Sequence, residues 1–268
     1  NDVQDESGWW GGRDRGVDRL NLLDLISNGT LDVRTAAVLW MLVESKSSMI
    51  VAAAPQLAGK TTLTTALLDL LPPSYTTVLT QGRAEDFSFL ADTDPARTYI
   101  LVPELSDHTP AYLWGDKVAT LFGALERGYS VAATIHADTP TQVVAMLMED
   151  PVSIPVESIH HAGAVVNLWL GYGERDLQRR LSRLTLVMPG PELVVVGEWE
   201  TEANAFVWSE SAKARAALWQ RLGNPRPSLD AALDRRVEAL ESWLSAGNLG
   251  TDDLRQAVAQ FYVSNASR

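Results

Sequence analysis

Residues Ser47 to Pro73 read SSMIVAAAPQLAGKTTLTTALLDLLPP. Met49 to Ala53 is a short apolar run of strand type, and Lys60 to Leu71 reads as a helix stopped by Pro72-Pro73. Between them lies Ala54-x-x-x-x-Gly59-Lys60-Thr61, which gives the order of strand, loop, Gly-Lys-Thr and helix that a phosphate-binding loop requires. In such a loop the backbone N–H groups of Ala54, Gln56, Leu57, Ala58 and Gly59 wrap the phosphates, and the helix N-terminus adds its positive end. Lys60 is then placed to neutralise the β- and γ-phosphates, and Thr61 to reach Mg²⁺, with Thr62 next to it on the first turn. Ala54 in place of the first glycine is a small change. Leu57 is a larger one: if its position requires positive φ, a bulky side chain there is strained by about a kcal/mol or more. The same residues also admit a plainer reading, a strand–helix turn that merely contains Gly-Lys-Thr.

Two further strands aim at the same place. RTYILVPELSD sets Glu104 just past the apolar run Tyr99 to Val102. In a parallel sheet the C-terminal ends of strands face the ligand crevice. A carboxylate there can orient or deprotonate an attacking water, or hold Mg²⁺. A solvated charge ending a strand is the alternative. SVAATIHAD ends its strand at His136, which reads either as a hydrogen-bonded loop histidine or as a sensor of the γ-phosphate.

Around these segments, strands alternate with helices. Helical spacing covers Leu20 to Ile26, Asp32 to Ser45, Ala111 to Arg127 and Thr139 to Glu149, and Tyr75 to Thr80 is a β-branched strand. The alternation predicts an α/β fold with a mainly parallel sheet. Past Pro151 come extra strands of hairpin type at 164–170, 180–187, 193–198 and 206–208, joined by Gly171-Tyr172-Gly173 and Pro189-Gly190-Pro191. From Ser211 the chain is helical again, with a break at Asn224-Pro225-Arg226-Pro227. The expected organisation is a tail over 1–19 carrying Trp9-Trp10, a core over 20–210 and a C-terminal helical subdomain over 211–268.

The 268 residues are 46% hydrophobic and 21% charged, enough to bury a sizeable core. A net charge of -12 argues against nonspecific nucleic-acid binding. With no cysteine, disulfides, thiolate zinc sites and cysteine nucleophiles are excluded, which fits a cytoplasmic setting. No apolar run approaches the roughly 20 residues of a membrane helix, and no signal peptide is visible.

These stretches together resemble the superfamily of secretion and pilus motor ATPases, which includes type II and type IV secretion ATPases and type IV pilus motors. LLDLISNGTLDVRTAAVLWMLVESKSSMIVAAAPQLAGKTTLTTAL is similar to its Walker A region, DPARTYILVPELSD to its Walker B region and ALERGYSVAATIHADTPTQVVAML to its histidine box. LESWLSAGNLGTDDLRQAV is similar to the C-terminal helices of pilus motors. The resemblance implies a RecA-like P-loop NTPase core. It also implies ATP and Mg²⁺ as cofactors, Glu104 as the catalytic glutamate with Asp107 after it, and His136 as the box histidine. Partners at the inner membrane and a homo-hexamer follow from the same resemblance.

The departures are specific. Gly82 and Arg83 stand where the family has acids, with Glu85 and Asp86 slightly later. Phe87 to Tyr99 is too short for the family's arginine-bearing segment, Pro103 replaces a glycine and Tyr129 a histidine. The family's large N-terminal domain and its zinc-binding cysteines are missing from this sequence. Arginines on a transferring phosphoryl group are worth about 10³–10⁵ in rate, so binding is better supported than fast hydrolysis. Two functions stay open: a Mg²⁺-ATP-hydrolysing motor, and a non-catalytic nucleotide-binding or structural subunit of such a machine. A small-molecule kinase accounts for neither the His136 segment nor the C-terminal helices.

Overall fold

The computed structural model of the chain describes residues 19–172, 176–223, 228–247 and 249–265. The tail with Trp9-Trp10, Gly173 and the Asn224–Pro227 break lie outside the described residues. Asn21 caps α1 (Leu22–Ser27) by accepting from the Leu23 and Asp24 amides, and Asp24 accepts in return from the Asn21 amide. Asp32 caps α2 (Val33–Glu44) through the Thr35 amide at 2.7 Å. α2 is buried from Thr35 through Val43, and a helix enclosed on all sides needs the apolar composition that this stretch has.

Then come β1 (Met49–Ala52), α3 (Lys60–Leu68), β2 (Thr76–Leu79), β3 (Thr98–Val102), α4 (Asp116–Glu126), β4 (Ser130–Ile135) and α5 (Pro140–Met148). They are followed by β5 (Ala164–Tyr172), β6 (Leu177–Met188), β7 (Glu192–Glu200) and β8 (Ala205–Trp208). All lie in one sheet, in the order β2-β3-β4-β1-β5-β6-β7-β8. The strands from β2 to β5 pair in parallel, and β6 to β8 extend the sheet by antiparallel pairing. This is an α/β arrangement: a mainly parallel sheet extended at one side by antiparallel hairpin strands. β1, β3 and β4 are buried along their whole length, as near-continuous apolar runs in a parallel sheet should be. One face of the sheet is covered by α1, α2 and α3, the other by α4 and α5.

Four boundaries differ from the sequence expectation. α4 begins at Asp116 rather than Ala111. Gly115 turns the chain with φ 63, and Leu113 before it gives its amide to the Glu104 carbonyl at 3.0 Å. Gly171 and Tyr172 continue β5 instead of turning, and β6 starts early enough to include Arg179. α3 ends at Leu68, with Asp69 capping it. A carboxylate at a helix C-terminus opposes the helix dipole. The buried Asp69 is held there by Arg19 at 2.6 Å and Arg255 at 2.8 Å.

The C-terminal helices α6 (Ala212–Arg221), α7 (Leu229–Ser245) and α8 (Thr251–Asn265) add to the α1–α3 face. Trp40 of α2 is fully buried, with the rings of Trp243 at 5.6 Å and Phe261 at 4.6 Å. Its Nε1 donates to the Tyr262 hydroxyl at 2.7 Å, which donates in turn to the Leu70 carbonyl at 3.0 Å. Arg236 of α7 is buried beside Trp40 and Phe261 and pairs with Glu44. Its partner offsets the desolvation of the guanidinium, and removing Glu44 alone would leave a buried charge uncompensated.

Lys46, with φ 62 just after α2, donates to the Pro95 and Thr98 carbonyls, both at 2.7 Å. Burial pushes its ammonium down from 10.5 to about 8, against the opposing pull of Asp94. A lysine with a folded pKa below its unfolded one holds its proton less tightly in the fold. The charged form therefore costs stability below about pH 8, and that cost is relieved as pH rises towards 10.5. Lys46→Met removes this titration. In denaturant unfolding at a series of pH values, the wild type should gain stability relative to the variant between about pH 8 and 10.5, with a constant difference below pH 8.

Candidate functional site

The loop leaving β1 reaches α3 through two left-handed residues. Gly59, at the position that caps α3, takes φ 92, which glycine adopts at no steric cost. Leu57 takes φ 63, so the strain expected at this position is present. Its side chain is 80% exposed and gains little packing to offset that strain. Ala54 to Leu57 are exposed, Ala58 is buried beneath them, and Thr61 and Thr62 are half-buried on the first turn of α3. The Leu57 carbonyl accepts from Nε of Arg179 at 2.8 Å.

The sheet order brings the other side chains in. β4 separates β1 from β3, with Ala52 beside Ile135 and Val102 beside Ala133. His136, directly after β4, therefore stands between the loop and Glu104. Its Nδ1 lies 3.0 Å from the Ala54 carbonyl oxygen and its Nε2 3.1 Å from Glu104 Oε2. Lys60 Nζ lies 3.2 Å and 3.3 Å from the two ring nitrogens and donates to the Ala53 carbonyl at 3.4 Å. Burial lowers the Lys60 ammonium below the ordinary lysine value, and the Glu104 carboxylate opposes that shift. Pro103 does not disturb the approach: its carbonyl accepts from the Thr134 hydroxyl at 2.6 Å, and the Leu105 amide donates to Thr134 O at 2.8 Å. Glu104 is thereby held against β4. An open pocket of about 410 Å³ adjoins the group, running from Ala54 and His136 to Asp138, Gln142 and Met146.

Three neighbours of the site escape a reading of the sequence. Ser106 Oγ donates to Glu104 Oε1 at 2.9 Å. Tyr112 sits close enough to Glu104 that burial and that carboxylate push its phenol up. Arg179 arrives from β6. Its strand pattern is visible in LQRRLSRL, but the identity of the strand beside the loop is not.

The residues that depart from the resemblance have local roles. Gly82 takes φ 59, and a Cβ there would lie 2.3 Å from the Pro110 carbonyl oxygen. The turns after β2 and β3 thus meet backbone to backbone, with the Arg83 amide donating to Pro110 O at 2.8 Å and its guanidinium to Asp107 O at 2.8 Å. The buried Glu85 carboxylate accepts from the Gln81 amide at 2.8 Å and the Phe87 amide at 2.7 Å, so it caps a turn rather than facing the loop. Between Phe87 and Tyr99 there are two short 3₁₀ turns, Ser88–Ala91 and Pro95–Arg97. Tyr129 bonds to Thr93 at the opposite end of β4 from His136.

The donor chemistry fits the groups that the resemblance implies. Mg²⁺ takes hard oxygen ligands, usually one or two carboxylates together with phosphate oxygens. Thr61 carries a hydroxyl and Glu104 a carboxylate, next to a buried lysine and a helix N-terminus suited to an anion.

No protein-family model matches the chain. It is 26% identical over 243 residues to the uncharacterized protein MJ1287 of Methanocaldococcus jannaschii, covering 82% of this chain and 90% of that one. It is 21% identical over 282 residues to the uncharacterized protein MJ0900 of the same organism, covering 91% of this chain and 49% of that one. The chain therefore spans about half the length of the second relative. Among solved structures it is similar to the pilus retraction motor PilT with bound ADP, with TM-score 0.37, 14% identity and coverage of 82% and 63%. It is also similar to the ATPase DotB of Yersinia pseudotuberculosis, with TM-score 0.41, 14% identity and coverage of 91% and 63%. DotB of Legionella pneumophila gives TM-score 0.40, 13% identity and coverage of 94% and 66%. The chain spans under two thirds of each of these three structures.

Leu57→Gly relieves the left-handed strain without removing buried surface. Its unfolding free energy should rise by up to about 1 kcal/mol, read from denaturant titration, with an unchanged m-value. A fall in stability would mean that the added freedom of glycine in the unfolded chain outweighs the strain relieved.

Proposed function

We propose that this chain binds Mg²⁺-ATP at the Ala54–Thr62 loop and hydrolyses it as a motor subunit of a secretion or type IV pilus-like assembly. One observation carries the reading. Lys60, Glu104 and His136 follow three different parallel strands and meet around one imidazole, at 3.1 Å to Glu104 and 3.2 Å to Lys60. In this reading the backbone amides of Ala54, Gln56, Leu57, Ala58 and Gly59 receive the phosphates. Lys60 exchanges its bond to His136 for the β- and γ-phosphate oxygens. His136, released from Lys60, meets the γ-phosphate. Glu104, oriented by Ser106, takes a proton from the water that attacks the γ-phosphorus, and the bond to the ADP oxygen breaks. Bound Mg²⁺ would be held by Thr61, and by Glu104 through a water, with Thr62 supporting the first turn, and would neutralise charge on the phosphates.

The motor would work in the cytoplasm against partners at the inner membrane, as a homo-hexamer, with the 20–210 core driving the 211–268 helices. Among the described residues no helix is long and apolar enough to cross a membrane.

A second reading is a nucleotide-binding subunit that does not hydrolyse. It is favoured by the strained Leu57 in the loop and by Glu85, whose carboxylate is committed to backbone amides. ATP binding and turnover of the wild type, Lys60→Ala and Glu104→Gln separate the two. The motor reading expects Lys60→Ala to lose binding, and Glu104→Gln to keep binding while turnover falls about a hundredfold or more. Wild-type turnover no faster than that of folded Lys60→Ala would sink the motor reading. Absence of nucleotide binding by the wild type would sink both.

A further inference from the structure

β5 pairs with β1 as far as Asn167 but runs on to Tyr172, with β6 alongside it from Leu177. The segments Leu168–Tyr172 and Leu177–Leu181 therefore overhang the C-terminal edge of the parallel strands. The loop from β1 to α3 leaves from that same edge. Arg179 sits on the overhang, opposite Leu170. Its stem crosses the loop closely enough that a Cβ on Gly59 would lie 3.4 Å from its Cδ, and its Nε donates to the Leu57 carbonyl at 2.8 Å. The residue it bonds and the residue it passes over are the two with positive φ in the loop, Leu57 at 63 and Gly59 at 92.

Arg179 also differs from its neighbours on β6. Arg183 is paired with Glu198 at 2.9 Å. Arg180 lies over the Trp199 ring at 4.3 Å and donates to Gln178 at 2.6 Å. Arg179 has no carboxylate within ion-pair distance among the described residues, in a chain whose net charge is -12. The bond to Leu57 is to a neutral carbonyl and uses a single N–H of the guanidinium fork, leaving the Nη groups to serve an anion.

We propose that Arg179 is a phosphate-positioning residue of this loop: its stem and Nε hold the Leu57–Gly59 segment in its left-handed turns, and its Nη groups receive the terminal phosphate oxygens of a nucleoside triphosphate. The proposal rests on the nucleotide-binding reading. It gives the loop two cations from opposite sides, Lys60 from α3 and Arg179 from β6. The ligand class that needs both is a di- or triphosphate rather than a monophosphate.

The test compares Mg²⁺-ATP binding by isothermal titration calorimetry for the wild type, Lys60→Ala, Arg179→Gln, Arg179→Ala and Arg179→Lys, each first checked for folding by thermal unfolding. Arg179→Gln can still donate to the Leu57 carbonyl but carries no charge, whereas Arg179→Lys keeps the charge. The expected result is a loss of about tenfold or more in ATP affinity for Arg179→Gln and Arg179→Ala, with part of it recovered in Arg179→Lys, whose ammonium can serve the phosphate but cannot hold the Leu57 carbonyl at the same time. The wild type should also lose more affinity than Arg179→Gln as salt is raised. If Arg179→Gln binds ATP as the wild type does, or with the same salt dependence, the positioning role is overturned while nucleotide binding stands. If the wild type binds no ATP, the nucleotide reading fails and takes this role with it. Should Arg179→Ala fail to fold, the contrast between the Gln and Lys variants decides.

Discussion

The pairing of β1 with β4 is the constraint on which the rest of the site depends. A parallel ladder fixes its neighbours residue by residue, so Ala52 beside Ile135 sets Ala53 and Ala54 beside His136. Because β4 also pairs with β3, the same imidazole reaches Glu104. Lys60 and Glu104 belong to segments that do not touch directly within the sheet. A histidine at the end of the strand between them brings both within hydrogen-bonding distance. Had β1 paired directly with β3, the histidine would have ended at one side of the group rather than at its centre.

α3 is held differently at its two ends. At its far end Asp69 is fixed by Arg19 and Arg255, and the carbonyl of Leu70 accepts from Tyr262, so residues before α1 and on α8 anchor it. The cluster of Trp40, Trp243 and Phe261 ties α8 and α7 to α2 in the same layer. The loop end has lighter support: His136 at the Ala54 carbonyl on one side and Arg179 at the Leu57 carbonyl on the other. Most of the loop between them is exposed. The rear of α3 is thus firmly packed, while its front is open and carries Leu57 at φ 63.

Gly82 and Glu85 show how a departure from a family pattern acquires its own physical logic. The turn after β2 packs against the Pro110 carbonyl so tightly that any side chain at position 82 would collide with backbone. An acid there is incompatible with this packing, whatever chemistry it could otherwise supply. Glu85 is buried, and its two hydrogen bonds to amides satisfy a turn that leads into Phe87 at φ 56. The positive charge beside the loop comes from Lys60 of α3 and Arg179 of β6.

The sequence by itself determined the units. The apolar run of β1, the Gly-Lys-Thr start of α3 and the helix that follows Asp32 are local patterns, and local patterns follow from backbone sterics and hydrogen bonding within a few residues. Glu104 and His136 were legible because strand ends in a parallel sheet face one crevice, so their neighbourhood followed from fold class alone. The strain at Leu57 was legible as a conditional, and the φ of 63 supplies its condition. What the tertiary structure decided was adjacency. Which strand lies beside β1, how far the β5–β6 hairpin overhangs the loop, and hence that Arg179 rather than Arg180 or Arg183 reaches Leu57, depend on contacts distant in sequence. Those contacts form between side chains whose own local patterns are the same whichever neighbour they meet.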